Sequence, residues 1–196
     1  RAQVEAVRCL AYLNAESIDL ATRHPDEAVR TWRGELADLL TPMTKGWGTD
    51  VGVELTSIGV QVHGGMGYIE ETGVAQHYRD IRIAPIYEGT NGIQAMDLVG
   101  RKLPMRAGGV MADFLAGIES TAAELSGADG TLASIGKQLA DAHAALNATT
   151  DWLLANGLVD PNNALAGATP YLRMCGIVTG GWLLARSAQA AQRLLD

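Results

Sequence analysis

Met111-Ala112-Asp113-Phe114-Leu115-Ala116-Gly117-Ile118-Glu119-Ser120-Thr121-Ala122-Ala123-Glu124-Leu125 reads as successive turns of one helix. Its apolar residues Met111, Leu115, Ile118, Ala122 and Leu125 step by four and three, a period that lays a stripe along a helix and that no strand shares. A second series follows the Asp129-Gly130 turn, through Leu132, Ile135, Leu139, Ala142, Leu146, Thr149 and Leu153. Such stripes on consecutive helices are the seams of an antiparallel bundle, and the segment Asp160 to Asn163 separates them from a third long helix. The fold class expected is all-α, a helical bundle.

The same pattern holds upstream. Residues 2 to 22 are apolar on most faces, which predicts a helix buried in a bundle or at a subunit contact. After His24-Pro25, the acids Asp26 and Glu27 suit a first turn, and Val29, Trp32, Leu36 and Leu39 follow at helical spacing. Pro42 is expected to end that helix. Beyond a Gly46-Trp47-Gly48 loop, Asp50 is the expected N-cap of a helix with Val51, Leu55, Ile58 and Val62 on one face, terminated by Gly64, Gly65 and Gly67. Thr72 is expected to cap a helix carrying Val74, Tyr78 and Ile81, and Pro85 predicts an extended entry into the Glu88 turn.

Composition narrows the function classes. Hydrophobic residues make up 47% of the 196, enough for a core, and the single Phe with few dense β-branched runs gives sheets little support. Net charge is −7 and no run of Lys or Arg exceeds two, so neither nucleic acid nor an anionic membrane is an expected partner. No apolar stretch reaches the roughly 18 residues of a membrane span. Met174 to Ala185 is too short, and its Gly176, Gly180 and Gly181 point to close helix packing. Cys9 and Cys175 lack metal spacing and each reads as a buried reduced thiol, in keeping with a reducing compartment. His24, His63, His77 and His143 show no ligand spacing, and no metal is expected.

The chemistry concentrates at Ile86-Tyr87-Glu88-Gly89-Thr90-Asn91-Gly92-Ile93-Gln94. Ile93, Met96, Val99 and Leu103 recur at helical spacing, so Thr90 reads as an N-cap and Glu88 lies outside the first turn, free to face a ligand. A carboxylate beside a helix start and apolar Ile86 is suited to removing a weakly acidic carbon-bound proton.

With Gln61-Val62-His63-Gly64-Gly65-Met66-Gly67-Tyr68 and Arg79-Asp80-Ile81-Arg82 upstream, the window from Gln61 to Gln94 resembles the C-terminal signature of the acyl-CoA dehydrogenases. Leu40 to Asp50 and Ala95-Met96-Asp97-Leu98-Val99-Gly100-Arg101-Lys102 resemble the branch that includes the 3-methylmercaptopropionyl-CoA dehydrogenases, which carries an extra C-terminal helical domain. The resemblance implies residues 1–103 as part of the dehydrogenase C-terminal helical domain and 104–196 as the appended one. Family members also have an N-terminal helical domain and a central β-domain. The chain begins at Arg1 within an apolar helical pattern and ends at Leu194-Leu195-Asp196 without a stop signal, so a piece of a larger enzyme is expected, itself inactive.

The resemblance further implies a flavoprotein oxidoreductase of fatty acid metabolism that forms an α,β double bond in an acyl-CoA. Glu88 matches the family's base, and Gly89 a substrate contact. Tyr87 matches a wall of the acyl pocket, with an ordinary core tyrosine as the alternative. Thr90, Asn91 and Gly92 match an FAD-contacting segment, Gly92 standing where the family often has Gln. Gln61, Val62, His63, Gly64 and Gly65 match a segment that meets the adenosine part of FAD on a neighbouring subunit. Arg79 and Asp80 read as a structural tie. A homo-oligomer, an electron-transferring flavoprotein as acceptor and a bacterial cytoplasmic location are implied, with mitochondrion and peroxisome as alternatives. The competing readings are an acyl-CoA oxidase of the same fold and a non-catalytic helical interaction module. For residues 104–196 a scaffold role is expected.

Overall fold

The computed structural model describes residues 1–157 and 159–195, with backbone only for Leu195; Asp196, at the expected unsignalled end, lies outside the described residues. Among them the chain is all-helical, and no strand occurs. In order come α1 (Ala2–Arg23), α2 (Glu27–Pro42), α3 (Gly48–Val62), α4 (Gly65–Tyr68), α5 (Val74–Ile81), α6 (Asn91–Asp97), α7 (Gly109–Ser126), α8 (Gly130–Asn156) and α9 (Pro161–Leu195). Helix α1 packs on α2 and α9, α3 on α5, and α8 on both α7 and α9. One continuous apolar core runs from Ala6 and Leu10 through Trp47, Leu98 and Ile118 to Leu183, so the two halves of the chain share a single interior.

Local chemistry sets the start of α2. Asp26 caps α2, accepting the Ala28 N–H at 2.8 Å. The α7 stripe Met111, Leu115, Ile118, Ala122 and Leu125 is buried throughout. On α8 the buried seam is Leu139, Leu146, Thr150 and Leu153, so Thr150 replaces the expected Thr149. Leu139, Leu146 and Leu153 keep the seven-residue spacing, and Thr150 lies one turn beyond Leu146 on the same face. Thr150 Oγ1 donates to Leu146 O and lies 2.7 Å from Tyr171 Oη of α9, so this buried pair is satisfied.

Several expectations fail for identifiable reasons. Helix α2 ends at Pro42 as expected, but the helical path does not stop there. The chain continues through a π turn, Met43–Trp47, straight into α3. Proline removes one i→i−4 bond, and the wider turn after it absorbs the mismatch while Leu39, Leu40, Met43 and Trp47 stay in the core. Gly46-Trp47-Gly48 is therefore helical, and Asp50 sits in the first turn of α3 without capping it. The N-cap of α5 is Gly73, at φ 75°, because the Thr72 hydroxyl turns back to Met66 O and Ile69 O. Helix α1 is covered on one stripe only, leaving Val4, Tyr12 and Ile18 exposed. Along α3 only Val51 is buried, with Leu55 partly so, while Ile58 and Val62 are exposed. In the helix after Thr90, Ala95, Leu98, Val99 and Leu103 face the core, whereas Ile93 (52%) and Met96 (45%) do not.

Gly176 and Gly180 of α9 do what close packing requires, whereas a Cβ on Gly181 would meet nothing within 4 Å, so the packing expected of that glycine is absent. A Cβ on Gly176 would fall inside the indole of Trp47, and one on Gly180 would lie 2.8 Å from Trp47 Cη2 and 3.0 Å from Ala6 Cβ. Trp182 of the same helix stacks edge-on to Phe114 and donates to Thr121 Oγ1 at 2.9 Å, whereas Trp152 is exposed. At the start of the second half, Arg106 joins Glu35 of α2 (3.1 Å) to Asp113 of α7 (2.8 Å). Both cysteines are free thiols, Cys9 partly exposed and Cys175 buried. Burial pushes the Cys175 thiol up to about 12, so it stays protonated at neutral pH and below. In the native chain iodoacetamide is expected to modify Cys9 and to reach Cys175 only after unfolding, which peptide mass mapping reads directly.

No helix among the described residues is long and apolar enough to cross a membrane.

Candidate active site

The approach to Glu88 is a series of tight turns. Ile81 O accepts from Ala84 N, and Ile83 O accepts from both Ile86 N and Tyr87 N, so Pro85 lies within a compact coil and the expected extended entry is absent. Asn91 N then donates to Pro85 O at 3.1 Å and closes the loop. Thr90 caps α6 as expected, its hydroxyl accepting from Ile93 N at 3.3 Å. Between these fixed points Glu88 (φ 51°) and Gly89 (φ 84°) are both left-handed. For a residue with a Cβ this conformation costs about 1–2 kcal/mol, so the turn keeps a carboxylate where glycine would fit more easily. Glu88, Tyr87 and Ile86 are exposed.

The turn is tied to the helical run α2–π–α3. Lys45 Nζ donates to Gly89 O at 2.6 Å and to Asn91 Oδ1 at 3.0 Å. Asn91 Nδ2 lies within reach of Gly46 O (3.0 Å), Thr49 Oγ1 (2.9 Å) and Asp50 Oδ1 (2.7 Å). The Asn91 amide is thus consumed by the protein itself, and it engages one oxygen of the exposed Asp50 carboxylate. Beside this brace opens a cleft of about 470 Å³ lined by Asp50, Val53, Arg82, Pro85, Ile86, Thr90, Asn91 and Gly92. Gly92 leaves room there, since a Cβ would meet nothing closer than Thr90 Oγ1 at 3.8 Å.

Gln61, Val62, His63, Gly64 and Gly65 lie elsewhere. They form the exposed C-terminal end of α3 and the turn beyond it, with Gly64 at φ 60° and His63 Nδ1 2.9 Å from Gly59 O. Cβ atoms on Gly64 or Gly65 would meet nothing within 4 Å, so a ligand can approach the backbone. At 1.5 Å per residue, Asp50 and Gln61 are about 16 Å apart along the helix. The Glu88 group and the Gln61–Gly65 group are therefore separate places. Arg79 pairs with Glu70 at 3.3 Å and Asp80 accepts from Gln76, so these two tie the exposed α5 region locally and do not pair with each other. Among the described residues no group of three or more His, Cys, Asp or Glu is placed to hold a metal.

Sequence reasoning overlooked Lys45, Thr49 and Arg82. Lys45 is separated by 44 residues from Gly89, and nothing in a one-dimensional pattern links the two. Arg82 stood next to the Arg79-Asp80 pair and drew no role, although it lines the cleft.

Comparison with known proteins finds two family matches along the chain. Residues 1–103 match the family described as acyl-CoA dehydrogenase, C-terminal domain, and residues 114–196 match acetyl-CoA dehydrogenase C-terminal like. The 3-methylmercaptopropionyl-CoA dehydrogenase of Ruegeria pomeroyi is 47% identical over 98% of this chain and 32% of its own length. The broad-specificity linear acyl-CoA dehydrogenase FadE5 of Mycobacterium tuberculosis is 30% identical over the whole chain and 33% of its own length. The chain thus spans about a third of the curated relatives it matches. The crystal structure of Caenorhabditis elegans ACDH-11 in complex with C11-CoA superposes with a TM-score of 0.78 at 18% identity, covering 94% of this chain and 30% of that one, which establishes a shared helical fold.

Proposed function

The chain belongs to the acyl-CoA dehydrogenase family, and from that premise we propose that it is the C-terminal part of a flavin-dependent acyl-CoA dehydrogenase with Glu88 as the α-proton base. The observation that carries the reading is the left-handed Glu88, an exposed carboxylate held at a conformational cost on a turn whose neighbouring residues Pro85, Ile86 and Thr90 line an open cleft. A group kept in a sparsely populated conformation is a pointer to function. Glu88 takes the proton from the carbon next to the thioester. Its backbone N–H donates to the thioester oxygen as negative charge develops there. Tyr87 and Ile86 supply apolar surface for the acyl chain, and Gly89 leaves space for the thioester.

Family members are FAD-dependent flavoproteins, and the donor set here fits that group in part. Arg82, the Thr90–Gly92 backbone and the open cleft suit a polar, anionic ligand. Since Asn91 spends its side chain on the brace, its contact with FAD is through the backbone. The Gln61–Gly65 turn, about 16 Å along α3 from Asp50, serves the adenosine part of the FAD held by a neighbouring subunit. When bound, FAD accepts the hydride that leaves the β-carbon. A homo-oligomer follows from the two separate FAD contacts, and an electron-transferring flavoprotein in the bacterial cytoplasm is the proposed acceptor. Residues 104–196 act as scaffold, since their helices complete the core that supports the Glu88 turn.

The test uses the flavoenzyme that contains this segment. Anaerobic mixing with acyl-CoA is expected to bleach the flavin, with little oxygen consumption during turnover in air. Rapid stoichiometric oxygen consumption would indicate an oxidase, and no bleaching by any acyl-CoA would overturn the reading. Residues 1–196 alone are expected to purify without FAD, because a partial site loses affinity steeply. A stoichiometric flavin spectrum on that piece would show that the cofactor needs no further domain.

A further inference from the structure

The left-handed Glu88-Gly89 pair does not hold itself. Glutamate gains nothing intrinsically from φ 51°, so surrounding contacts must fix the turn. Backbone bonds close it at its ends, through Asn91 N to Pro85 O and the Thr90 cap. Its centre is fixed by a side chain from another helical run: the carbonyl of Gly89 accepts from Lys45 Nζ at 2.6 Å, and the same ammonium reaches Asn91 Oδ1 at 3.0 Å. The geometry points to Lys45 as a positioning residue that holds Glu88 in register with its substrate, an inference that rests on Glu88 being the base.

Three features favour this role over that of an ordinary surface lysine. Lys45 forms no ion pair with an acid among the described residues, unlike Lys102, which pairs with Asp38 at 3.1 Å. Its charge is directed onto a neutral carbonyl and an amide oxygen, giving charge-assisted bonds that fix a peptide plane. Its own backbone is pinned as well, since Lys45 O accepts from Thr49 Oγ1 at 2.6 Å. The π turn produces this placement. Widening the helix after Pro42 leaves Met43 and Trp47 in the core and turns Lys45 and the Gly46 carbonyl toward the Glu88 loop, where Gly46 O accepts from Asn91. The helical irregularity, the lysine and the strained glutamate thus form one connected device.

In the FAD-loaded enzyme, Lys45→Met keeps the stem and removes the ammonium. It is expected to slow anaerobic flavin reduction at saturating acyl-CoA by about 10- to 100-fold, the scale of a small misplacement of a reacting group. Half-saturation by acyl-CoA and FAD content are expected to stay unchanged, and Lys45→Arg to restore most of the rate. Amide hydrogen exchange in resting enzyme is expected to rise over residues 83–92 in Lys45→Met and not along α3. A wild-type rate in Lys45→Met overturns the inference. Loss of FAD, or exchange rising throughout the helices, also overturns it, by assigning Lys45 to general stability. The Glu88→Gln background separates this inference from the one beneath it: there Lys45→Met is expected to add no further loss. If Glu88→Gln itself reduces flavin normally, the base assignment fails; if Glu88→Gln is dead and Lys45→Met is normal, only the role of Lys45 fails.

Discussion

Glu88→Gln in the FAD-loaded enzyme is expected to leave FAD and acyl-CoA binding intact and to reduce the rate of flavin reduction by about 100- to 10,000-fold, the range for loss of a general base. The amide has the shape of the carboxylate and no usable basicity, so the change isolates proton abstraction from packing. Glu88 is exposed, and no core contact is disturbed. Rapid anaerobic mixing with acyl-CoA measures the effect, and bleaching at the wild-type rate would remove Glu88 from the role. Glu88→Gly makes the companion measurement. Since φ 51° is strained for glutamate and ordinary for glycine, that variant is expected to be more stable by about 1 kcal/mol and equally inactive. A gain in stability that accompanies the loss of chemistry would mean that the carboxylate is retained against the preference of the backbone.

What the sequence made legible depended on how local the deciding interaction was. Thr90 is the cap expected of it, and Asp26, expected as a first-turn acid, is instead the N-cap of α2; both are contacts within three residues. The α7 stripe is a single period over 18 residues and is buried as read. The join between α2 and α3 was misread because Pro42, Gly46 and Gly48 are all helix-stop signals, while the force that overrides them lies in distant α9. Cβ atoms on Gly46 and Gly176 would run into Leu172 and Trp47, so this stretch is shaped by what packs on it. The site divides the same way. The base and its cap belong to one short segment, whereas Lys45, Thr49 and Asp50 reach that segment across more than forty residues.

The α9 glycines allow that dependence to be measured with substitutions of opposite sign on one helix. Gly176→Ala places a methyl group inside the indole of Trp47, where neither a helix backbone nor a buried ring can yield cheaply. The expected loss is about 3 kcal/mol, the upper part of the usual penalty for overpacking. Gly181→Ala, five residues on, meets nothing within 4 Å and replaces the poorer helix former by the best. It is expected to gain about 0.5–1 kcal/mol. Urea unfolding of residues 1–196 followed by circular dichroism is therefore expected to move to lower denaturant for one alanine and higher for the other. Shifts of the same sign would mean that α9 does not seat on Trp47 as described. Because Trp47 ends the π turn that carries Lys45, the same Gly176→Ala change in the FAD-loaded enzyme is expected to slow flavin reduction as well. A remote methyl group would then act on the Glu88 turn through the helix that braces it.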